Sequence, residues 1–184
     1  MIIGLAGYAR SGKDEVAKIL VEEYGFTRIA FADKIRELLF EMDPPIPVGY
    51  GLEAHTVGLR NYVEIHGWEE GKQNKTVRSM LQNVGVGART VFGETFWIYQ
   101  ALSDVAPQDN VVVSDVRFEN EANWIQTFSG QVWKVERPGV EAVNSHISEH
   151  ALDYYSFEQT LKNEGTLDDL RTLVRQTMDA LNVN

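Results

Sequence analysis

At 184 residues, 43% of them hydrophobic and 24% charged, the chain has the size and composition of one ordinary globular domain with enough apolar side chains for a core. Its formal net charge of −10 argues against a long polyanionic partner, because a nucleic-acid backbone is held by clustered Lys and Arg; a mononucleotide needs only a local positive pocket, and ten arginines beside seven lysines suit two-pronged phosphate contacts. With no cysteine, neither disulfides nor thiolate metal sites are available, and with no signal-peptide pattern or membrane-length apolar run the expected location is the cytoplasm.

The apolar run Met1-Ile-Ile-Gly-Leu-Ala6 predicts a first strand, and it runs into Gly7-Tyr-Ala-Arg-Ser-Gly12-Lys13, the pattern G-x-x-x-x-G-K. Two glycines let backbone N–H groups turn around phosphate oxygens, the following helix offers its positive end, and Lys13 reaches the outer phosphates. A nucleoside triphosphate is therefore the first ligand to expect. Asp14-Glu-Val-Ala-Lys-Ile-Leu-Val-Glu-Glu-Tyr24 predicts an amphipathic helix with Val16, Ile19, Leu20 and Tyr24 on one face and Gly25 as its stop. Asp14 stands where most such loops carry the Ser or Thr that sits on Mg²⁺; a carboxylate is also a hard oxygen ligand, so Asp14 is a candidate for the ion directly or through water.

Thr27-Arg-Ile-Ala-Phe31 predicts a second short strand, after which Asp33 is expected to cap a helix carrying Ile35, Leu38 and Leu39. From about Asp43 to Lys75 the alternation lapses into Pro44-Pro45-Ile-Pro47, glycines and mixed polar residues, which predicts a flap or an insertion. Thr76 is then expected to cap a helix ending at Val84-Gly85, followed by a helix with Phe96, Trp97 and Leu102. Asn110-Val-Val-Val-Ser-Asp115 has the profile of a buried parallel strand delivering a carboxylate to its C-terminal edge, where ligands bind in open α/β sheets. A helix over 118–128, a strand over 131–136 and an edge strand over 157–161 follow, and Thr166-Leu-Asp-Asp169 predicts a capping box on a last helix with Leu170, Leu173, Val174 and Leu181 inward. Strands alternating with helices imply a mainly parallel sheet covered on both faces.

Asp115 and Arg117 share one strand edge, which suits Mg²⁺ or substrate as well as a local ion pair. Arg78 and Gln82 project from one helical face with Arg89 beyond, a pattern that fits a ligand-gripping face or a solvated one. Trp97 fits either a core position or a stack on a base. His146-Ile-Ser-Glu149-His150 matches the zinc pattern H-x-x-E-H, but the downstream third-ligand candidates, Glu158 and Glu164, fall in a strand and a turn, so a polar loop and helix start is the other reading. Guanine-reading switches carry N-K-x-D, and Asn74-Lys-Thr-Val77 lacks that Asp.

Taken in order, Gly7-Tyr-Ala-Arg-Ser-Gly-Lys-Asp14, Phe31-Ala-Asp-Lys34, Val77-Arg-Ser-Met-Leu-Gln-Asn-Val-Gly85, Trp97, Ser114-Asp-Val-Arg-Phe-Glu-Asn-Glu121 and Val135-Glu-Arg-Pro-Gly139 resemble the deoxynucleoside monophosphate kinases of bacteriophages. His146-Ile-Ser-Glu149 and Asn163-Glu-Gly-Thr-Leu167 extend the likeness nearly to the C-terminus, with about 42–67 unmatched, and Glu15 stands where some members have Thr. The resemblance implies one three-layer P-loop nucleoside triphosphate hydrolase domain over 1–184, with a flap or insertion at about 43–75 and a short lid at about 137–150. It implies transfer of the ATP γ-phosphoryl group to a deoxynucleoside monophosphate, with Mg²⁺ bridging the outer phosphates. Gly7, Arg10, Ser11, Gly12, Lys13 and Asp14 would hold ATP; Asp14 and Asp115 would serve the metal. Asp33, Arg78, Gln82, Arg89, Trp97, Asp115, Arg117 and Glu121 would line the acceptor site. Lys13, Arg117 and Arg137 would neutralise the moving group. The partners implied are ATP and a deoxynucleoside monophosphate, with no nucleic-acid polymer and no membrane; a homodimer stays open, and a phage-encoded chain would work in the host cytoplasm. A kinase of another small phosphorylated acceptor, of the dephospho-coenzyme A or phosphomevalonate type, shares loop and sheet and differs only in its acceptor residues.

Overall fold

The computed structural model describes residues 1–49, 51–106, 108–142 and 146–182. It contains two compact units, residues 1–30 with 102–184, and residues 31–101. No helix among the described residues is long and apolar enough to cross a membrane.

The first unit is built on five parallel strands, β1 (Ile2–Ala6), β2 (Thr27–Ile29), β5 (Val111–Val113), β6 (Gln131–Glu136) and β7 (Gln159–Lys162), in the order β2-β5-β1-β6-β7. Alternation along β1 explains how both faces are covered. Ile3 and Leu5 join Val16, Leu20, Trp133, Val135, Leu161, Leu170 and Val174 in a core formed with α1 (Lys13–Tyr24) and α8 (Leu167–Asn182). The intervening Gly4 faces the other way, against α6 (Glu119–Thr127), where an added Cβ would stand 2.6 Å from Ile125 Cδ1. Burying each Ile or Leu of this core is worth about 1.5–3 kcal/mol, so the sheet centre is the fixed floor on which the loops at the strand ends rest. Gly25 (φ 69°) closes α1 by donating its N–H toward the carbonyls of Leu20 and Val21. At α8 the expected capping box is present: Asp169 takes the Thr166 N–H at 2.8 Å and Thr166 Oγ1 takes that of Asp169 at 3.2 Å.

The second unit comprises α2 (Phe31–Met42), the antiparallel pair β3 (Pro45–Val48) and β4 (His55–Gly58) with a 3₁₀ turn between them (Gly51–Glu53), α3 (Leu59–Gly71), α4 (Lys75–Phe92) and most of α5 (Phe96–Leu102). Its core is Leu39, Ile46, Leu59, Val63 and Val77. Prolines 45 and 47 are accommodated because the ribbon has only two strands, leaving backbone positions that need no N–H.

The structure departs from five sequence expectations. Phe31 is helical, because α2 begins there, and Asp33 lies in its first turn, accepting from Arg36 Nη1 at 2.8 Å, instead of capping it. The cap of α4 is Asn74, whose Oδ1 takes the N–H of Thr76 at 2.9 Å, so Thr76 is inside the helix. Gly85 does not end that helix: it lies where an added Cβ would meet Ile35 Cδ1 at 3.1 Å, so it serves close approach to α2, and α4 continues to Phe92. The edge strand starts at Gln159, two residues later than its apolar pattern suggested.

Candidate active site

Between β1 and α1 the chain makes the tight loop that the glycine spacing predicts, with Gly7 at φ 130°, Arg10 at φ 69° and Gly12 at φ 110°. Gly7 is obligatory twice over, since a Cβ there would also run into the Val135 carbonyl. Ser11 N–H donates to the Tyr8 carbonyl at 3.2 Å, and the Lys13 ammonium donates to the carbonyls of Gly7 and Tyr8, each at 2.8 Å. The lysine is thus folded over its own loop at the positive end of α1.

A cleft of about 320 Å³ opens at the C-terminal ends of β1 and β6, with Gly7, Tyr8, Ser11, Arg117, Glu136 and Arg137 in its wall. Arg117 and Arg137, on different connections, therefore share one cleft with the phosphate loop, and both are exposed. Asp115 is half-buried just beyond β5, behind Ser114, whose N–H reaches the Ile29 carbonyl at 2.9 Å. Asp14 is exposed on the first turn of α1. Neither acid is among the described residues lining the cleft.

Glu121 is 4% exposed and its Oε2 accepts the backbone N–H groups of Arg117 at 2.8 Å and Phe118 at 3.1 Å. Its carboxylate holds the entry to α6 and, through the backbone, the place of Arg117. Glu121→Ala is expected to cost about 1–3 kcal/mol, the penalty for buried donors left unsatisfied, with Glu121→Gln losing less because an acceptor oxygen remains. Denaturant titration of the three proteins checks this; equal midpoints would mean the two amides find water.

The sequence gives no role to Asp153, none to Tyr8 beyond its place in the loop pattern, and none to His150 beyond a zinc pattern and the end of an implied lid. Tyr8 Oη donates to Asp153 Oδ1 at 2.8 Å, and Asp153 Oδ2 lies 2.9 Å from His150 Nδ1, tying the phosphate loop to the segment after α7 (Ile147–His150). The bond with His150, then that with Tyr8, holds the Asp153 carboxyl below the usual carboxylate range. With the folded-state value depressed, the tie contributes stability above that range and loses it as pH falls through the depressed value. The spacing H-x-x-E-H and the lid that the resemblance implies at about 137–150 mark this region in the sequence. His146 caps α7, its Nδ1 taking the Ser148 N–H at 3.2 Å, and the Glu149 side chain lies outside what the structure describes.

In the second unit, Arg78, Gln82 and Arg89 all lie on α4, each partly buried, four and seven residues apart and so on one face. Arg78 Nε donates to the Lys72 carbonyl at 3.1 Å. Trp97 is 4% exposed; its indole N–H donates to the Gly85 carbonyl at 2.8 Å and Phe96 meets its ring edge-on at 4.9 Å, so it packs α5 against α4.

The family model described as deoxynucleotide monophosphate kinase matches residues 52–174, more than half of the chain. A protein of Acanthamoeba polyphaga mimivirus, provisionally named a deoxynucleotide monophosphate kinase, is 28% identical over 97% of this chain and 96% of its own. The deoxynucleotide monophosphate kinase of Enterobacteria phage T4 is 22% identical over 98% and 99%. Among solved structures, shikimate kinase from Aquifex aeolicus superposes with a TM-score of 0.50 at 11% identity, covering 99% of this chain and 98% of that one, a likeness of fold.

Proposed function

The chain belongs to the deoxynucleotide monophosphate kinase family, and on that footing we propose that it transfers the γ-phosphoryl group of ATP to a deoxynucleoside monophosphate. The bond from the γ-phosphorus to the β-phosphate oxygen breaks, a bond to an acceptor phosphate oxygen forms, and ADP and the deoxynucleoside diphosphate leave. The acceptor is already an anion, so no strong general base is needed; the protein aligns two polyanions and neutralises charge as the group moves.

The observation that supports this most directly is the phosphate loop sharing a cleft with Arg117 and Arg137. The loop amides and Lys13 hold the donor phosphates. The two arginines offer planar, permanently charged donors to the moving group, with the α7 turn as part of a short lid. Arg78 and Arg89, on one face of α4, grip the acceptor.

Magnesium is the ion that phosphoryl transfer from ATP calls for. Among the described residues no three His, Asp or Glu side chains gather into a cage, and Mg²⁺ commonly takes one or two carboxylates and completes its shell with water and substrate phosphates. Asp14 and Asp115 would supply those carboxylates, and the bound ion would supply charge neutralisation for the phosphates. Asp14→Asn is accordingly expected to raise the Mg²⁺ concentration needed for half-maximal rate. An unchanged magnesium titration removes Asp14 from the metal site.

The experiment that tests the function is an ADP-release assay with MgATP across the deoxynucleoside and ribonucleoside monophosphates, with dephospho-coenzyme A and phosphomevalonate alongside. Turnover confined to a non-nucleotide acceptor, or none with any deoxynucleoside monophosphate, would overturn the proposal.

A further inference from the structure

We propose that Asn163 is a positioning residue for the donor phosphates, its side-chain amide anchoring the Ser11 carbonyl so that the Ser11–Gly12 peptide presents its N–H to the bound triphosphate. This rests on the phosphate loop holding a nucleoside triphosphate. Asn163 follows the last residue of the edge strand β7, far from the loop in sequence, and is 7% exposed. Three contacts fix it there. Its backbone N–H donates to the Glu136 carbonyl at 2.7 Å, immediately before Arg137. Its Nδ2 donates to the Ser11 carbonyl at 2.9 Å. The same nitrogen approaches Gly12 so closely that an added Cβ would stand 2.5 Å from it.

The consequence follows from peptide planarity. In a trans peptide the C=O and the next N–H point in opposite directions, so holding the Ser11 carbonyl on Asn163 aims the Gly12 N–H away from Asn163. Gly12, at φ 110° and without a Cβ, offers little resistance of its own to a flip of that peptide. Ser11 does not hold it either, for its buried hydroxyl has no hydrogen-bond partner among the described residues. Released, the peptide can turn a carbonyl oxygen toward the phosphates in place of an N–H. The residue must be a neutral donor of this length: aspartate would set an acceptor against the Ser11 carbonyl and leave that carbonyl unsatisfied.

The test uses the full chain and measures MgATP binding by calorimetry, without acceptor, beside steady-state kinetics and thermal melting. Asn163→Asp is expected to weaken ATP binding and raise the KM for ATP by about tenfold or more, leaving the KM for the monophosphate within about twofold. Asn163→Ala, which removes the donor without adding charge, should show a smaller loss in the same direction, and serves if the aspartate variant does not fold. Leu161→Val, which thins the core under the same strand without touching Ser11, is the stability control. ATP affinity within twofold of wild type in the foldable Asn163 variant, or a loss no greater than that of Leu161→Val, overturns the proposal. An equal rise in both KM values also overturns it. If the unsubstituted chain binds no ATP, the phosphate-loop assignment fails first and this proposal with it.

Discussion

Lys13→Ala is expected to lower kcat by roughly 10²–10³-fold, the usual effect of removing one preorganised donor aimed at developing charge. Lys13 is the first residue of α1, and its ammonium is already held over the loop by the Gly7 and Tyr8 carbonyls at 2.8 Å. Little reorganisation is then needed when the outer phosphates arrive. The loop itself should persist without the lysine. Its shape is set by the positive φ of Gly7, Arg10 and Gly12, by the Ser11-to-Tyr8 backbone bond and by Asn163. Thermal melting is therefore expected to shift little, and ATP affinity to fall less than turnover does. Measurement of kcat at saturating ATP, with melting on the same preparation, checks both parts. A folded Lys13→Ala protein turning over near the wild-type rate would remove this loop from the chemistry.

The phosphate loop was legible because everything it needs is local: a strand, two glycines at fixed spacing and an amphipathic helix stopped by Gly25. The parallel sheet was legible for a related reason, since Val111, Val112 and Val113 are apolar on both faces and only a strand covered on both sides has that need. Gly85 was misread because its identity answers to Ile35 on another helix, and a close approach leaves the same residue in the sequence as a helix stop. Asn74 and Thr76 are both good caps, and local pattern does not choose between them. Residues 43–75 hid two short strands because prolines argue against a central strand but not against a two-stranded ribbon. Glu121 was included among acceptor residues on resemblance alone; its burial and its two backbone donors depend on how the turn at Arg117 closes. The ties from Tyr8 to Asp153 and from Ser11 to Asn163 cross 145 and 152 residues, beyond any periodicity a sequence window can hold.

Arg78→Ala should separate the two substrates. If Arg78 grips the acceptor phosphate, kcat/KM for the monophosphate should fall by about 1.5–3 kcal/mol, the worth of a hydrogen bond to a charged group, while ATP affinity changes little. The geometry sharpens that expectation. Arg78 Nε is committed to the Lys72 carbonyl at 3.1 Å, which pins the turn between α3 and α4 and leaves the two terminal nitrogens of the fork for a planar, two-pronged contact. Truncation therefore also removes a structural tether, at about 0.5–1.5 kcal/mol of stability. That part is read from melting and must not be counted as lost binding. Arg78→Lys distinguishes the two contributions: a lysine keeps a charge on the same face of α4 but offers neither the fork nor the Nε–H, so it should restore acceptor use only in part. Were Arg78 merely a solvated residue on that face, its kinetic effect would stay within about 0.5 kcal/mol. The deciding comparison is kcat/KM for the monophosphate beside ATP affinity in the same variant. Equal losses for both ligands, or none for either, would take the acceptor phosphate away from this face of α4.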